Sequence, residues 1–471
     1  MSNIAQLLSS RPEHQPILTA VRQLAEESGL QVYLVGGYVR DLLMQRNSKD
    51  LDLMVEGDGI AFAERLARQL KLGPVVSYAD FGTALIAGGE TRIEVAAARS
   101  EIYSSDSRKP EVKPASLLSD LSRRDFTINA LAVSLSGEEY GGLSDPYGGL
   151  RDMQTGILKT PLDPDVTFSD DPLRMLRAAR FAAQLDFSID PAIHASMERQ
   201  AGRMEIVSWE RVTEEIMKLL STDRPSIGFY ILKETGLLRE VFPELDVMSG
   251  VEWINGQGHK DVFVHTLQVV DNAAALSSRP QLRFAALVHD IAKPETKQFD
   301  RSRGWTFHHH EEVGRKMLRA VAKRMRLSSG LRDYLMKMTK LHLRPIALAK
   351  EGITDSAVRR LMHEAGEEID DLMMLCRADV TTKRESRAAR YMQNFERVEE
   401  LMADVTIRDE MQAFQSPVRG AEIMAVCNLT EGWRVGVLKK AIEEAILDGH
   451  IENSHAAALA YLHEIKDKAG T

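Results

Sequence analysis

The hydrophobic pattern of this 471-residue chain changes near Thr160, and that change limits the folds open to it. Before Thr160, apolar β-branched runs predict strands at 31–35, 51–55, 83–87 and 92–97, with helices at 39–45 and 60–72. Gly88-Gly89 is typical of a hairpin between the last two strands. After Thr160 the pattern predicts helices at 172–185, 211–220, 282–292, 312–325, 357–365 and 435–447. We therefore expect an α+β chain, with a small mixed-sheet head followed by an all-helical body.

The length of the chain indicates two to four domains. Within the head, the polar residues 101–120 include Pro110 and Pro114 and predict a long mobile loop. The pattern divides the chain as follows: an N-terminal helix (1–30), the head (31–160), a helical neck (161–250), a further helical domain (251–400) and a helical tail (401–471).

Composition excludes several classes of protein. Hydrophobic residues make up 44% of the chain and charged residues 27%, which is typical of a globular protein and not of a disordered or fibrous one. The chain has 2 cysteines, lacks an apolar run long enough to span a bilayer, and begins with an acidic segment unlike a signal peptide. We therefore expect a cytoplasmic protein that does not contact a membrane.

The net charge of −9 does not by itself favour a nucleic-acid partner, because phosphate binding depends on lysine and arginine. Basic residues nevertheless cluster locally, at 108–113, at Arg123 and Arg124, and at Arg174, Arg177 and Arg180. A locally basic cleft on an acidic body is compatible with RNA binding.

Two acidic residues on the second predicted strand suggest a metal site. Asp50 and Asp52 are two apart, so both carboxylates point to one face of the strand. Mg²⁺ prefers carboxylate and phosphate oxygens, and two such ions can bind the attacking hydroxyl and the leaving pyrophosphate of an in-line transfer. Glu94, on a neighbouring predicted strand, is a third candidate. The alternative is an acidic stripe that faces solvent.

Two further motifs suit a nucleoside triphosphate. Gly36-Gly37 lies between a strand and a helix, where the backbone and the helix N-terminus can approach a phosphate. Arg123 and Arg124 can hold phosphate oxygens through forked hydrogen bonds, and Asp125 or Asn129 can bond a ribose hydroxyl. An ordinary turn and a salt bridge at a helix start are the alternatives.

Five motifs occur in a fixed order: Gly-Gly-Tyr-Val-Arg-Asp (36–41), Asp-Leu-Asp (50–52), Arg-Arg-Asp-Phe-Thr-Ile-Asn-Ala (123–130), Asp-Pro-Tyr-Gly-Gly (145–149) and Asp-Asp-Pro-Leu-Arg-Met-Leu-Arg-Ala (170–178). Over residues 31–220 they resemble the bacterial class II tRNA nucleotidyltransferase and poly(A) polymerase family. The resemblance implies a nucleotidyltransferase-type head that uses Mg²⁺, with CTP, ATP and the 3′ end and acceptor arm of tRNA as substrates. Asp50 and Asp52 would be the catalytic metal-binding pair, and Glu210-Arg211 would begin the helix after the nucleotide pocket. The residues implied to bind the nucleotide are Gly36, Gly37, Arg40, Arg123, Arg124, Asp125, Asn129, Asp171, Arg174, Arg177 and Arg180.

Asp171 and Arg174 correspond to the pair that recognises the base in this family. Their spacing of three residues predicts that they share one face of a helix. Cytosine and adenine each present an amine donor beside a ring-nitrogen acceptor, whereas uracil and guanine reverse that order. An acceptor from Asp171 and a donor from Arg174 would therefore select C and A. The alternative is an ion pair within the helix.

More than half of the 13 histidines fall between His259 and His342. Imidazole combined with carboxylate suits a divalent transition metal or a two-metal centre. The ordered set resembles the HD phosphohydrolase superfamily over residues 255–382, which implies an HD domain at 251–400 with an unidentified divalent metal. The implied ligands are His265, His289, Asp290, His310, His342 and Asp379. The alternative is a structural metal site without turnover.

Several functions fit these motifs. Addition of C, C and A to tRNA is favoured, and an A-adding, CC-adding or poly(A)-adding member of the same family is the nearest alternative. A signalling uridylyltransferase would need ligand-sensing domains, for which little chain follows Asp379. A phosphohydrolase whose head only binds RNA would not need Asp50 and Asp52. Nothing in the sequence indicates an obligate protein partner.

Overall fold

The computed structural model describes residues 3–48, 50–79, 82–87, 91–104, 107–254, 256–348, 355–382, 384–413, 416–447 and 450–466. It divides into two units, one formed by residues 1–343 with 368–388 and the other by residues 344–367 with 389–471. The Gly88-Gly89 hairpin predicted above lies outside the described residues.

The elements of the head follow in chain order: α1 (Ala5–Ser9), α2 (Gln15–Ser28), β1 (Val32–Val35), α3 (Gly36–Leu43), β2 (Asp50–Val55), α4 (Gly59–Leu70), β3 (Val75–Tyr78), β4 (Thr83–Ile86), β5 (Arg92–Ala97), β6 (Arg99–Ser104), β7 (Ser107–Pro114), α5 (Leu117–Ser122), β8 (Ala132–Ser134), β9 (Leu143–Ser144), α6 (Gly149–Thr155) and β10 (Ile157–Leu158).

The main sheet has the strand order β3-β4-β5-β2-β1-β8-β9 among the described residues. β2 and β5 are parallel, and the other neighbouring pairs are antiparallel. The alternation of side chains along β2 sets the two faces of this sheet. Leu51, Leu53 and Val55 enter the large head core that α2 and α4 cover, whereas Met54 packs in a smaller core on the opposite face. Asp50 and Asp52 share that opposite face, as the sequence predicted.

The prediction of a long mobile loop at residues 101–120 was wrong. β6 and β7 form an antiparallel hairpin, with register from Arg99↔Pro114 to Ser104↔Ser107, and α5 follows it. Both strands are edges of their own two-stranded sheet, where a proline, which has no N–H group, is tolerated.

The chain then continues as helices with short strand pairs: α7 (Pro164–Asp170), α8 (Leu173–Leu185), β11 (Ser188–Ile189), α9 (Pro191–Gln200), α10 (Trp209–Leu220), α11 (Pro225–Glu234), α12 (Leu237–Val241), α13 (Pro243–Asp246), β12 (Trp253–Ile254), β13 (Gln257–Gly258), α14 (Val262–Leu276), α15 (Pro280–Val288), α16 (Lys293–Thr296), β14 (Gln298–Asp300), β15 (Gly304–Thr306), α17 (His310–Arg324) and α18 (Ser329–Leu341).

The remaining helices are α19 (Arg344–Leu348), α20 (Asp355–Ala365), α21 (Ile369–Ala378), α22 (Glu385–Ala413), α23 (Gly420–Cys427), α24 (Trp433–Leu447) and α25 (His455–Ile465). The second unit has a small apolar core of its own, in which Val418, Ile423, Leu438 and Leu462 are fully or almost fully buried. Among the residues described, no helix combines the length and apolar character needed to cross a bilayer. The α+β head and mainly helical body predicted from the sequence are confirmed.

Candidate metal and nucleotide sites

Three carboxylates meet on the open face of the head sheet. β2 and β5 run parallel, and their register places Asp52 directly beside Glu94, with Asp50 two residues before Asp52 on the same face of β2. Asp52 is half-buried, and burial is the main cause that raises its pKa to about 6, followed by the negative charge of Glu94. Adjacent carboxylates that disfavour each other's charge are a suitable ligand set for a hard divalent cation.

Gly36 brings the backbone against this carboxylate group. Its φ of +67° lies in the left-handed region, and a Cβ at this position would lie 2.9 Å from Arg124 Nη1 and 3.2 Å from Asp52 Oδ2. Both the left-handed φ and the close approach favour glycine at position 36. The next position is less crowded, since a Cβ on Gly37 would lie 3.7 Å from Arg40 Nη2.

A buried chain of hydrogen bonds links four of the predicted nucleotide-binding residues. Arg40 Nη1 donates to Asn129 Oδ1 at 2.8 Å, and Asn129 Nδ2 donates to Asp125 Oδ1 at 3.1 Å. Arg177 Nε donates to Asp125 Oδ2 at 2.8 Å. Burial opposes the charge of Asp125, but Arg177 and the Asn129 hydrogen bond outweigh it and lower the pKa of Asp125 to about 2. The two guanidinium groups are thus held at fixed positions.

Asp120 is a site residue that the sequence analysis missed. It is almost fully buried, and its two oxygens bind different arginines: Oδ1 accepts from Arg123 Nη2 at 2.5 Å and Oδ2 from Arg124 Nη2 at 3.0 Å. These arginines lie three and four residues after it, at the end of α5, a spacing at which helical geometry brings side chains together. That spacing was a usable signal, but it fell in the segment predicted to be a loop.

Asp171 and Arg174 do not share a helix face, so that prediction was wrong. Asp171 has extended backbone angles after α7, and α8 begins at Leu173, because Pro172 disfavours helical geometry in the residue before it. Asp171 Oδ2 instead accepts from Arg211 Nη2 at 2.7 Å. Arg174 donates to two main-chain oxygens, those of Arg123 at 2.6 Å and Thr167 at 3.2 Å.

Arg180 is buried, as Arg40 is. Its Nε donates to the buried Glu215 at 2.7 Å, and its guanidinium carbon lies 4.0 Å from the centroid of Phe181. Arg40 and Arg177 approach the same ring, at 5.1 and 5.3 Å. Glu215 was not identified from the sequence, since it comes from α10 while these arginines come from α3 and α8.

The second site lies among α14, α15, α17, α18 and the end of α21. All four histidines direct Nε2 inwards towards two aspartates. The contacts on one side are from His265 to Asp379 (3.0 Å) and from His289 to Asp290 Oδ2 (3.1 Å). On the other side, Asp290 Oδ1 faces the Nε2 atoms of His310 and His342 at 3.2 and 3.7 Å. Asp290 therefore lies between two groups that can each hold an ion: His265, His289 and Asp379, and Asp290, His310 and His342.

The outer nitrogens of these histidines are anchored by oxygen atoms. Nδ1 of His289, His310 and His342 lies 2.7–2.8 Å from the main-chain oxygens of Ala286, Phe307 and Thr339, and Nδ1 of His265 lies 3.0 Å from Thr381 Oγ1. Such outer partners fix the ring orientation and leave Nε2 free to act as a ligand.

Two inner atoms are buried without a hydrogen-bond partner in the described structure, His289 Nε2 and Asp290 Oδ1. Burial disfavours the charge of His289, but Asp290 and Asp379 outweigh it and raise its pKa to about 10. Burial and the charge of His289 lower the pKa of His342 to about 4. Buried imidazole and carboxylate atoms without hydrogen-bond partners, beside two aspartates, fit the ligand set of a divalent cation. Lys293 also contacts Asp290 and was missed, although it lies three residues after it.

Comparison with known proteins finds similarity over most of the chain. Three family models match the chain: the poly A polymerase head domain at residues 32–159, the probable RNA and SrmB-binding site of polymerase A at 186–248, and the HD domain at 262–383. The Multifunctional CCA protein of Chromobacterium violaceum is 33% identical over 431 residues, which cover 88% of this chain and 99% of that protein.

Two further similarities extend over most of the chain. The A-adding tRNA nucleotidyltransferase of Deinococcus radiodurans is 31% identical over 435 residues, 89% of this chain and 92% of its own length. A solved tRNA nucleotidyltransferase complexed with a primer tRNA and an incoming ATP analog has a TM-score of 0.58 at 26% identity, and covers 81% of this chain and 99% of that one.

Proposed function

The chain belongs to the bacterial class II tRNA nucleotidyltransferase and poly(A) polymerase family with an HD domain, and we propose that it adds C, C and A from CTP and ATP to the 3′ end of tRNA without a nucleic-acid template. The observation that carries this proposal is the placement of Asp52 beside Glu94 on parallel strands, with Asp52 and Arg124 both close to Gly36. A relative solved with a primer tRNA and an ATP analog supports these substrates. Cys376 and Cys427 do not form a disulfide bond, which is in keeping with a cytoplasmic enzyme.

Asp50 and Asp52, with Glu94 beside them, would hold Mg²⁺, which when bound stabilises the attacking and leaving oxygens of the transfer. Arg124 would bind a phosphate oxygen of the triphosphate, and Asp120 orients its guanidinium group for that contact. Asp125 accepts hydrogen bonds from both Arg177 and Asn129 and so holds the Arg177 guanidinium group in place. Arg177 would then contact the nucleotide. The protein thus supplies position and charge, while the 3′-hydroxyl of the RNA supplies the nucleophile.

Base choice would depend on Asp171 and Arg174. In the ligand-free site Asp171 accepts from Arg211, and the exocyclic amine of C or A would take the place of that donor. Arg174 would donate to the adjacent ring nitrogen. Uracil and guanine present a carbonyl oxygen to Asp171 and an N–H to Arg174, so they would be rejected by two unfavourable pairings.

The HD cluster would carry a second activity, hydrolysis of a 3′-phosphate or 2′,3′-cyclic phosphate at an RNA end. A bound divalent metal would lower the pKa of a water molecule there. In the hydrolysis, the oxygen of water bonds to phosphorus, the bond between phosphorus and O3′ breaks, and O3′ takes a proton from that water. A 3′-phosphate is thereby released as inorganic phosphate, whereas a 2′,3′-cyclic phosphate opens to a 2′-phosphate. The product end then has the free hydroxyl that nucleotide addition requires.

The direct test of the first activity is incubation with tRNA lacking its last three nucleotides, with each triphosphate offered singly and in combination. We expect two additions from CTP alone, a third once ATP is present, and no addition from UTP or GTP. An A-adding enzyme would extend only a tRNA that already ends in CC, and a poly(A)-adding enzyme would continue beyond one A. No incorporation into any of these RNAs would refute the proposal.

A further inference from the structure

The surface of α17 and α18 carries a local excess of positive charge. Residues 315–340 contain nine basic residues and one acidic residue, in a chain whose net charge is −9. Some of these cations are paired within the protein: Arg324 Nη1 donates to Glu244 Oε1 at 2.7 Å, and Lys337 Nζ donates to Glu368 Oε2 at 2.6 Å. Such pairs balance only part of the excess, so the surface as a whole stays positive.

Three basic side chains form a stripe along α17. Lys316, Arg319 and Lys323 are exposed, and their spacing of three and four residues places them on one face of the helix. Within the described part of the chain, neither lysine forms an ion pair. A helix rises about 10 Å over seven residues, so the stripe has that length.

A groove of about 530 Å³ between α17 and α18 adjoins this stripe. Its lining includes Arg319 and Lys323 from α17 and Arg332 from α18. The acidic residue of the segment, Asp333, also lines the groove and accepts from Arg332 Nε at 2.8 Å. Lysine binds a phosphate as a point charge and arginine binds it through paired N–H groups, so this surface can hold several phosphate groups. Lys316, Arg319, Lys323 and Arg332 are hereafter called the basic face.

The basic face lies close to the proposed nucleotide site, because both contact the same helix. Arg211, near the start of α10, donates to Asp171 of the base-recognition pair at 2.7 Å. Two residues later on α10, Thr213 Oγ1 donates at 2.6 Å to the main-chain oxygen of Met325, which directly follows α17. Less than one turn of α10 therefore separates the residue that contacts the site from the residue that contacts the end of α17. An RNA that places its 3′ end in the site has the basic face within reach of its stem.

We propose that the basic face binds the phosphate backbone of the RNA stem whose 3′ end lies at the nucleotide site. The inference rests on the proposed addition to tRNA and adds a second contact surface for that substrate, on the helices of the HD domain. Its position beside α10 favours RNA over an acidic protein as the anionic partner. Since backbone contacts carry no sequence information, this surface would hold different tRNAs alike.

The test measures binding of a tRNA ending in CC to the full chain by fluorescence anisotropy, over a range of salt concentrations. The variant Arg319→Gln combined with Lys323→Gln removes two charges and keeps residues that favour a helix. Each lost phosphate contact should lower the slope of log affinity against log salt concentration by about 0.9, so the slope should fall by about 2. The loss of affinity should then be roughly tenfold larger at about 50 mM salt than at about 200 mM.

Two matched variants serve as controls. Arg319→Lys combined with Lys323→Arg keeps both charges and should keep the affinity and the slope. Arg65→Gln combined with Arg68→Gln removes two exposed charges from α4, which covers the sheet face opposite Asp52. This control has the same change in net charge and should bind tRNA as the unaltered chain does.

Addition of A to the same tRNA gives an independent measurement. In Arg319→Gln with Lys323→Gln, kcat/KM for tRNA should fall, whereas the KM for ATP and the rate at saturating tRNA should stay. A short single-stranded RNA ending in CC lacks the stem, so the variant and the unaltered chain should extend it equally. A loss of rate on this RNA as large as that on tRNA would mean that the two side chains act on the catalytic site, and would overturn the inference.

The binding titration decides the inference even if the proposed function fails. If the unaltered chain adds no nucleotide to any RNA, addition to tRNA is refuted, and a lower slope in the Arg319 and Lys323 variant would still sustain an RNA-binding surface. An unchanged slope in that variant would overturn the inference and leave the basic face to another anionic partner, such as an acidic protein. An equal change of slope in the Arg65 and Arg68 control would show an effect of net charge alone and would overturn it as well.

Discussion

Gly36→Ala should inactivate nucleotide addition far more than it destabilises the fold. The new Cβ would lie 2.9 Å from Arg124 Nη1 and 3.2 Å from Asp52 Oδ2, so one or both side chains must shift. Both are the mobile ends of side chains, and the fold can accommodate the shift. The shift would, however, change the distances from Arg124 and Asp52 to the bound nucleotide. A misplacement of about 1 Å in an active site can cost roughly 100-fold in rate, equivalent to about 2.7 kcal/mol.

Gly29→Ala provides the matched control. Gly29 has a φ of +66°, nearly the value at Gly36, but a Cβ there would have no neighbour within 4 Å. Each substitution incurs the same left-handed strain of about 1–2 kcal/mol, so thermal unfolding should report similar losses of stability. Single-turnover addition of one A to a tRNA ending in CC then separates the two effects. If Gly36→Ala keeps a rate within threefold of Gly29→Ala, the contact of Gly36 with Arg124 and Asp52 has no catalytic role.

Three further outcomes are expected. Asp50→Ala or Asp52→Ala should abolish incorporation and leave the unfolding temperature near that of the unaltered chain, because both residues lie at the open face of the sheet; near-normal incorporation by either variant would contradict their role. Arg174→Ala should weaken discrimination against UTP and GTP by roughly 10- to 100-fold, since a charged hydrogen bond contributes about 1.5–3 kcal/mol; an equal loss of rate with all four triphosphates would refute base recognition. His289→Ala combined with Asp290→Ala should remove bound metal, measured by elemental analysis, together with hydrolysis of phosphorylated RNA ends, and leave addition from CTP and ATP nearly unchanged. Metal retained at full occupancy in that variant would show that the ligands lie elsewhere.

The parts of the fold that the sequence predicted correctly depend on local periodicity. Along β2, alternation alone places Leu51 and Leu53 in the core and both aspartates on the other face, and no distant residue is needed for that conclusion. The same holds for α8, for which the hydrophobic pattern predicted a helix at 172–185. The ligands of the HD cluster were predicted on a different ground, because histidine and aspartate are residue types that bind divalent metals and their order along the chain resembles the HD superfamily.

The features that the sequence analysis missed depend on contacts between distant residues or on breaks in the backbone. Pro172 ends the regular geometry between α7 and α8, so a spacing of three residues no longer means a shared face, and Asp171 meets Arg211 from another helix. Glu215 meets Arg180 across 35 positions of the chain. The hairpin of β6 and β7 pairs residues whose polarity suggested a loop.

Three buried carboxylates, of which the sequence analysis missed Asp120 and Glu215, also explain how an acidic chain can host a triphosphate site. Arg123 and Arg124 share Asp120, Arg177 is paired with Asp125, and Arg180 with Glu215, so much of the local positive charge is already balanced within the protein. Burying these ion pairs costs desolvation free energy, and because their charges balance they attract a distant phosphate only weakly. They nevertheless fix the direction of the guanidinium N–H groups that remain available to a ligand. In the proposed site, nucleotide binding then depends on oriented donors and on a metal bound between carboxylates, and not on a broad basic surface. A net charge of −9 is therefore consistent with an enzyme that binds nucleotides and RNA.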